Sequence, residues 1–136
     1  MHAWLEPYAI TVLAMLATAA LFIVQMLVLD VAGIRSRHEP GAPVHADHAN
    51  FLFRATRAHA NTNESIAAFI LLAIIAIFSM ASPKWAGIFA WLYVAGRVGH
   101  MLCYYANLKL ARSISFGVSL IALVALLLLD LVSTLQ

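Results

Sequence analysis

Three polar side chains at the start of an apolar segment have the residue types and the spacing of a ligand-binding site. They are Arg57, Asn61 and Glu64, and the charge-free residues 65–80 follow them directly. Positions i, i+4 and i+7 of an α-helix lie on one face, so the three side chains would project together. A charged side chain at membrane depth costs roughly 2.5 to 3.5 kcal/mol. We therefore expect these groups to satisfy one another or to bind a polar ligand.

A second set of polar residues lies in the last two apolar segments. Arg97, His100 and Tyr104 are spaced i, i+3 and i+7, so they would again share one face of a helix. Arg112 and Ser113 follow after a short turn, where the last apolar segment begins. We expect all five residues at the same level of the membrane as the first set.

Arginine dominates this level of the membrane. Glu64 is the acid that we expect there on a helix face, and it faces a large excess of positive charge. We predict that up to five arginines lie at this depth of the membrane: Arg35, Arg54, Arg57, Arg97 and Arg112. Such an excess favours an anionic ligand, above all one with carboxylates that arginine can hold through two hydrogen bonds.

Structural interpretations compete with ligand binding at several of these positions. Arginine and lysine at the end of a membrane helix can simply extend to lipid phosphates, and we favour this for Arg37 and Lys109. An ion pair between Arg97 and Glu64 could lock two helices together without any ligand. Both interpretations stay open on the sequence alone.

The histidines of residues 36–50 resemble metal ligands in their spacing. His45 and His48 are three residues apart and Asp47 lies between them, while His38 precedes them. No second tight pair follows, and the segment contains two prolines and a glycine. We therefore favour a solvated loop over a zinc site and predict no resident metal.

Membrane-spanning helices are the elements that must position these residues. The chain of 136 residues is 64% hydrophobic and 10% charged, whereas soluble domains are roughly 25% charged. Its formal net charge is +2, and the basic residues are scattered around segment ends without forming a nucleic-acid-binding stripe. The composition predicts an integral membrane protein with one domain over residues 1–136.

Four apolar segments are long enough to cross a membrane. A helix of about 20 apolar residues spans a hydrocarbon core of about 30 Å. No Lys or Arg precedes the first segment, so we expect it to be retained as a span and not removed as a signal peptide. The predicted fold is an all-α membrane bundle of four helices, with spans at about residues 8–31, 51–80, 85–108 and 113–130.

The distribution of basic residues predicts the orientation of the chain. Only Lys84 lies on the side of the second connection. The other side carries six: Arg35, Arg37, Arg54, Arg57, Lys109 and Arg112. Because basic residues concentrate in cytoplasmic loops, we predict that both termini are non-cytoplasmic and that the polar residues lie near the cytoplasmic face. We expect the membrane to be the bacterial inner membrane.

The polar motifs, taken together, resemble a known family. They are Arg-Ala-His-x-Asn-x-x-Glu from Arg57, Gly-Arg-Val-x-His-x-x-x-Tyr from Gly96, and Arg-Ser at Arg112. Their order, the four spans and the chain length are similar to the membrane-associated proteins in eicosanoid and glutathione metabolism, the MAPEG family. This family includes microsomal glutathione transferases, leukotriene C synthase and microsomal prostaglandin E synthase. It also includes the five-lipoxygenase-activating protein, which binds lipid without catalysis.

The resemblance implies a homotrimer that binds glutathione at each subunit interface. Carried over by motif, Arg57, Asn61 and Glu64 would hold the glutathione peptide, with Glu64 near its amino group. His100 and Tyr104 would line the same site, and we group Arg97 with them.

The resemblance also implies roles at the ends of the first and third connections. Arg112 matches the arginine that stabilises the thiolate, and Ser113 matches the serine beside it. Arg35 matches an arginine that reaches the site from an adjacent subunit. Ala60 and Phe116 depart from the pattern, because some members have a basic residue at the first position and the prostaglandin synthase has a tyrosine at the second.

The sequence thus predicts a membrane-bound glutathione-dependent transferase or peroxidase. Its co-substrate would be glutathione, and its second substrate would be a lipid-soluble electrophile. A guanidinium beside the thiol favours the thiolate, which is the nucleophile. The alternative is a non-catalytic lipid-binding scaffold or an accessory subunit of a larger membrane complex, since family membership does not prove catalysis.

Overall fold

The protein folds into four long α-helices. A computed structural model describes residues 3–135 of the chain. After a short 3₁₀ turn at Glu6–Tyr8 come α1 (Ala9–Arg35), α2 (Phe51–Phe78), α3 (Pro83–Tyr105) and α4 (Lys109–Thr134). All four helices are long and apolar enough to span a membrane. The predicted all-α membrane fold is confirmed, and the chain is an integral, multi-pass membrane protein.

The first three helices end in the same way, with a left-handed residue that is not glycine. Arg37, Met80 and Asn107 have φ values of 52°, 52° and 58°. After α3, the amide of Asn107 donates to the carbonyl of Tyr104, and the amide of Leu108 donates to that of Cys103 at 2.8 Å. This pair of bonds is a Schellman motif, which satisfies carbonyl groups that the helix end leaves free.

Helix α4 starts earlier than the fourth predicted span, and its first turns contain two predicted site residues. The helix begins at Lys109 and not at residue 113, with Leu108 in an extended conformation as its N-cap. Arg112 and Ser113 therefore lie in the first turns of a regular helix. The tight turn after α3 brings this end of α4 beside the end of α3. We call this end of the bundle, where residues 36–50 also join α1 to α2, the loop end.

Helices α2 and α3 each pack against the three other helices, and the most extensive contact is that of α3 with α4. The contact between α3 and α4 is close at Gly96, where an added Cβ would lie 2.8 Å from the backbone nitrogen of Ser119. Small residues let membrane helices approach in this way. The approach brings polar groups of α3 and α4 within hydrogen-bond distance.

The core of the bundle consists of small residues and one aromatic stack. The rings of Phe69 and Tyr93 lie parallel with their centroids 4.2 Å apart. Around them is a buried cluster that includes Ala14, Ala90 and Leu126. Many large apolar side chains are exposed on the outer faces of the helices, as expected for a surface that contacts lipid.

Candidate functional site

Arg97 lies at the centre of the predicted site and is only 1% exposed. Its Nη1 donates to the Asn61 side-chain oxygen at 2.8 Å and to the Asn61 backbone carbonyl at 3.2 Å. Its Nη2 donates to Ser119 Oγ at 2.7 Å. The rings of Tyr93 and Phe116 lie 5.5 and 5.4 Å from the guanidinium carbon. A buried cation is thus held by neutral oxygens and aromatic faces.

Arg97 bonds to Asn61, whereas the sequence had left open an ion pair between Arg97 and Glu64. The Asn61 amide nitrogen lies 3.4 Å from the Glu64 carboxylate, a long hydrogen bond at the exposed edge of the cluster. Because Arg97 can only donate, it fixes the Asn61 oxygen toward itself and the amide nitrogen outward. The Glu64 side chain remains exposed and its carboxylate can accept further donors.

A second cluster lies nearer to the loop end. The rings of His100 and Tyr104, both buried, meet edge to face at 4.9 Å. The guanidinium carbon of Arg112 lies 4.4 Å from the centroid of the Tyr104 ring. A cation–π contact of this kind does not use the N–H groups of the guanidinium as hydrogen-bond donors to a polar acceptor.

Phe116 joins the two clusters. Its ring lies 5.4 Å from the guanidinium carbon of Arg97 and 6.2 Å from the His100 ring. The structure therefore brings together six of the predicted site residues. They are Asn61, Glu64, Arg97, His100, Tyr104 and Arg112.

The other three predicted residues lie apart from these clusters in the single subunit. Arg35 is exposed at the end of α1, where it lines a groove of about 640 Å³ beside the start of α2. Arg57 is exposed one turn before Asn61. Ser113 is exposed, and its hydroxyl donates to the carbonyl of Lys109 at 3.3 Å.

Arg54, which was predicted among the arginines at this depth, makes its hydrogen bonds to the backbone at the loop end. Its Nη1 donates to the carbonyls of His48 and Ala49 at 2.7 and 2.8 Å. Its Nη2 lies 3.4 Å from the carbonyl of Tyr105 at the end of α3. Arg54 thus ties residues 36–50 to α3 through backbone carbonyls, while its Nε has no hydrogen-bond partner within residues 3–135.

The loop histidines do not meet in a cluster. Within residues 3–135, no group of three or more His, Cys, Asp or Glu residues is placed to hold a metal ion. His38 Nε2 lies 2.9 Å from the carbonyl of Ala42, and the His48 ring packs edge-on against Phe53 at 5.1 Å. Both contacts stabilise the conformation of residues 36–50.

Sequence reasoning missed two polar residues that contact Arg97 and a third that bonds to one of them. Ser119 accepts a hydrogen bond from Arg97. The Tyr93 ring lies against the Arg97 guanidinium, and the Tyr93 hydroxyl lies 2.8 Å from the hydroxyl of Ser65. Tyr93 stands four residues before Arg97 on α3, so its spacing was a usable signal. Ser119 gave none, because its contact depends on how α4 is aligned with α3.

The arrangement can hold an anion. Two cations lie in the joined clusters, and within residues 3–135 neither Arg97 nor Arg112 has a hydrogen bond to a carboxylate. Outside water, the attraction between opposite charges strengthens as the dielectric constant falls. A ligand with carboxylates or a thiolate would be stabilised here, and Glu64 would suit an ammonium group.

Comparison with known proteins agrees with the fold and with the motifs. A family model described as the MAPEG family matches residues 11–132, a range that contains every predicted site residue. The curated proteins give no match. The family match supports a membrane glutathione-related transferase or a related function in general. By this match over nearly its whole length, the chain belongs to the MAPEG family.

Proposed function

We propose that the protein is a membrane-bound glutathione-dependent transferase or peroxidase that acts on a lipid-soluble electrophile. The observation that carries the proposal is a pair of guanidinium groups, Arg97 and Arg112, that within residues 3–135 have no hydrogen bond to a carboxylate, in a MAPEG chain. Aromatic contacts through Phe116, His100 and Tyr104 connect the two. Glutathione carries two carboxylates, one ammonium and a thiol. These charges complement the cluster.

The polar ends of glutathione fit the outer edge of the site. The Asn61 amide nitrogen points outward, so it would donate to a carboxylate or a peptide carbonyl. The exposed Glu64 carboxylate would accept from the ammonium group. Arg57, one turn away and also exposed, would hold a second carboxylate.

The thiol would lie against Arg112 at the loop end. A free thiol of this kind has a pKa of about 8.5, and a guanidinium beside it lowers that value by favouring the thiolate. In a transfer reaction, the thiolate sulfur forms a bond to the electrophilic carbon while the leaving group departs with its electron pair. Charge stabilisation and proximity then supply most of the rate enhancement.

The second substrate would arrive through the membrane. The helices expose many large apolar side chains, among them Leu110 and Ile114 in the first turns of α4. A lipid-soluble electrophile concentrates in such surroundings, whereas glutathione enters from water. The loop end would therefore bring a polar nucleophile and an apolar electrophile together.

A homotrimer would complete the site. Arg35 and Arg57 lie at the surface of the subunit, where a neighbouring copy could bring them against bound glutathione. We infer, from the basic residues around the loop end, that this end faces the cytoplasm of a bacterial inner membrane and that both termini are non-cytoplasmic.

The alternative function is that of a lipid-binding scaffold or an accessory subunit of a larger complex. Two observations favour it: Ser113 bonds to its own helix backbone, and Phe116 offers no hydroxyl. Against it stands Arg97, because a scaffold does not need a buried cation linked through Asn61 to an exposed carboxylate.

Conjugation of glutathione to an aryl halide by the detergent-purified protein tests the proposal. We expect turnover above the uncatalysed rate, together with saturable glutathione binding by calorimetry. Binding without turnover of aryl halides or of lipid hydroperoxides would favour the scaffold. Absence of glutathione binding would overturn the proposal.

A further inference from the structure

Ser119 lies outside the three polar motifs, yet its hydroxyl is held from two sides. It is fully buried, with Oγ 2.7 Å from Arg97 Nη2. The same oxygen lies 3.1 and 3.0 Å from the carbonyls of Ser115 and Phe116. Because a guanidinium only donates, Ser119 accepts from Arg97 and gives its own hydrogen to the helix backbone.

The packing of α3 on α4 sets this contact. A Cβ at position 96 would lie 2.8 Å from the backbone nitrogen of Ser119 and 3.0 Å from its Cβ. Only glycine allows the two backbones to come this close. Because the backbones are close, the short Ser119 side chain reaches Arg97, the residue that follows Gly96.

A continuous series of polar contacts leads from Ser119 to the exposed edge of the site. Arg97 joins Ser119 to the Asn61 side-chain oxygen at 2.8 Å, and Asn61 joins Arg97 to Glu64 at 3.4 Å. The series crosses α4, α3 and α2. Its inner end is fully buried, and its outer end is the exposed Glu64 carboxylate.

We propose that Ser119 is a positioning residue, which orients the Arg97 guanidinium and thereby holds the Asn61 amide nitrogen toward the ligand. Without the hydroxyl, a charged donor in a buried setting loses its acceptor and the guanidinium must turn to find another. Rotation of Arg97 would release the Asn61 oxygen and leave the amide free to flip. Binding sites depend on such support for their contacting groups. The inference rests on the proposed function only for the identity of the ligand.

Ser119→Ala tests the proposal, and Ser115→Ala is its matched control. Ser115 lies one turn earlier on α4 and faces α3, with its hydroxyl 3.0 Å from where a Cβ of Gly99 would be. Both changes remove a hydroxyl from the same helix contact, but only Ser119 touches Arg97. We expect Ser119→Ala to weaken glutathione binding and raise its KM about ten-fold or more, the effect of losing a hydrogen bond to a charged group. The kcat at saturating glutathione should stay near the wild-type value, since Arg112 is untouched. Equal glutathione affinity in the two variants would overturn the proposal.

A second measurement needs no glutathione. Nitrogen-15 NMR of the arginine side chains reports whether a guanidinium is held or rotates, and Arg97→Lys identifies the signal. We expect separate Arg97 Nη resonances in the wild type and in Ser115→Ala, and averaged ones in Ser119→Ala. Unchanged Arg97 signals in Ser119→Ala would overturn the role of Ser119 whether or not the protein binds glutathione. A wild type that shows held Arg97 signals but binds no glutathione would instead refute the proposed function.

Discussion

At the scale of single residues, the site consists of cations that neutral groups hold in place. Arg97 donates to Asn61 and Ser119, and Arg112 lies 4.4 Å from the centroid of the Tyr104 ring. Aromatic faces and amide or hydroxyl oxygens fix a guanidinium without neutralising it. The charge stays available to an anion that enters the site.

Arg112→Ala should remove the stabilisation of the thiolate. We expect kcat to fall about a hundred- to a thousand-fold, the effect of losing one preorganised charge-stabilising donor, with a smaller change in glutathione affinity. Steady-state kinetics with glutathione and an aryl halide measure both. Lys109→Ala removes a cation from the first turn of the same helix and should leave kcat near the wild-type value. Equal loss in the two variants would mean that Arg112 contributes only to the general surface charge.

The sequence predicted which polar residues share a helix face but not which of them touch across helices. Spacing placed Asn61 with Glu64 and Arg97 with His100. It could not show that Arg97 contacts Asn61 and Ser119 and not Glu64, because these contacts depend on the alignment of α2 and α4 with α3. The partners of Arg54 were unpredictable for the same reason, since its carbonyl acceptors come from a loop and a helix end.

At the scale of helices, the close approach of α3 to α4 makes the site possible. Gly96 has no side chain that would keep the two helices apart, and Ser119 of α4 lies directly against it. The contact both packs the bundle and brings Ser119 to Arg97. The packing of the bundle and the placement of Arg97 are therefore coupled at this crossing.

Gly96→Ala should destabilise the bundle, although alanine is the better helix former. The new Cβ would meet the backbone nitrogen of Ser119 at 2.8 Å, and overpacking of this kind costs about 1–3 kcal/mol. Gly117→Ala is the control, because no atom outside its own helix lies within 4 Å of a Cβ there. Thermal unfolding in one detergent should give a lower midpoint for Gly96→Ala and an unchanged or higher one for Gly117→Ala. The reverse order would show that the two helices are farther apart than described.

The helices themselves were predictable, and their ends were less so. Four long apolar stretches predict four spans whatever the details of packing. The third predicted span extended to residue 108, whereas α3 ends at Tyr105. Because Leu108 is apolar, the apolar pattern continues through the turn at Asn107 and does not mark the end of the helix. Asparagine tolerates the left-handed conformation of that turn, and this was the available signal.

At the scale of the whole molecule, composition and motif order carried the prediction furthest. The four membrane helices and the MAPEG family are both confirmed, and they place the protein among glutathione-related membrane proteins in general. Assembly is harder to predict, because a subunit interface leaves no periodic signal in one sequence. The exposed Arg35 and Arg57 are consistent with a homotrimer as proposed.

The orientation of the molecule can be tested with one engineered cysteine. The proposal that the loop end is cytoplasmic predicts that a cysteine at Ala42, in a Cys103→Ser background, stays unlabelled by a membrane-impermeant thiol reagent in intact cells. Lysis should make it reactive. A cysteine at Ser82, in the opposite connection, is the matched control and should be labelled in intact cells if the reagent reaches that side. Labelling at position 42 before lysis would place the site on the other face of the membrane.

The ionisation of bound glutathione tests the central claim most directly. Detergent-purified wild type and Arg112→Ala are titrated with glutathione across a range of pH, and the ultraviolet absorbance of the thiolate is recorded. The proposed site predicts that glutathione bound to the wild type is ionised at neutral pH, below the free value of about 8.5, and that in Arg112→Ala it ionises only at higher pH. Glutathione that binds the wild type but ionises at the same pH as free thiol would contradict the claim.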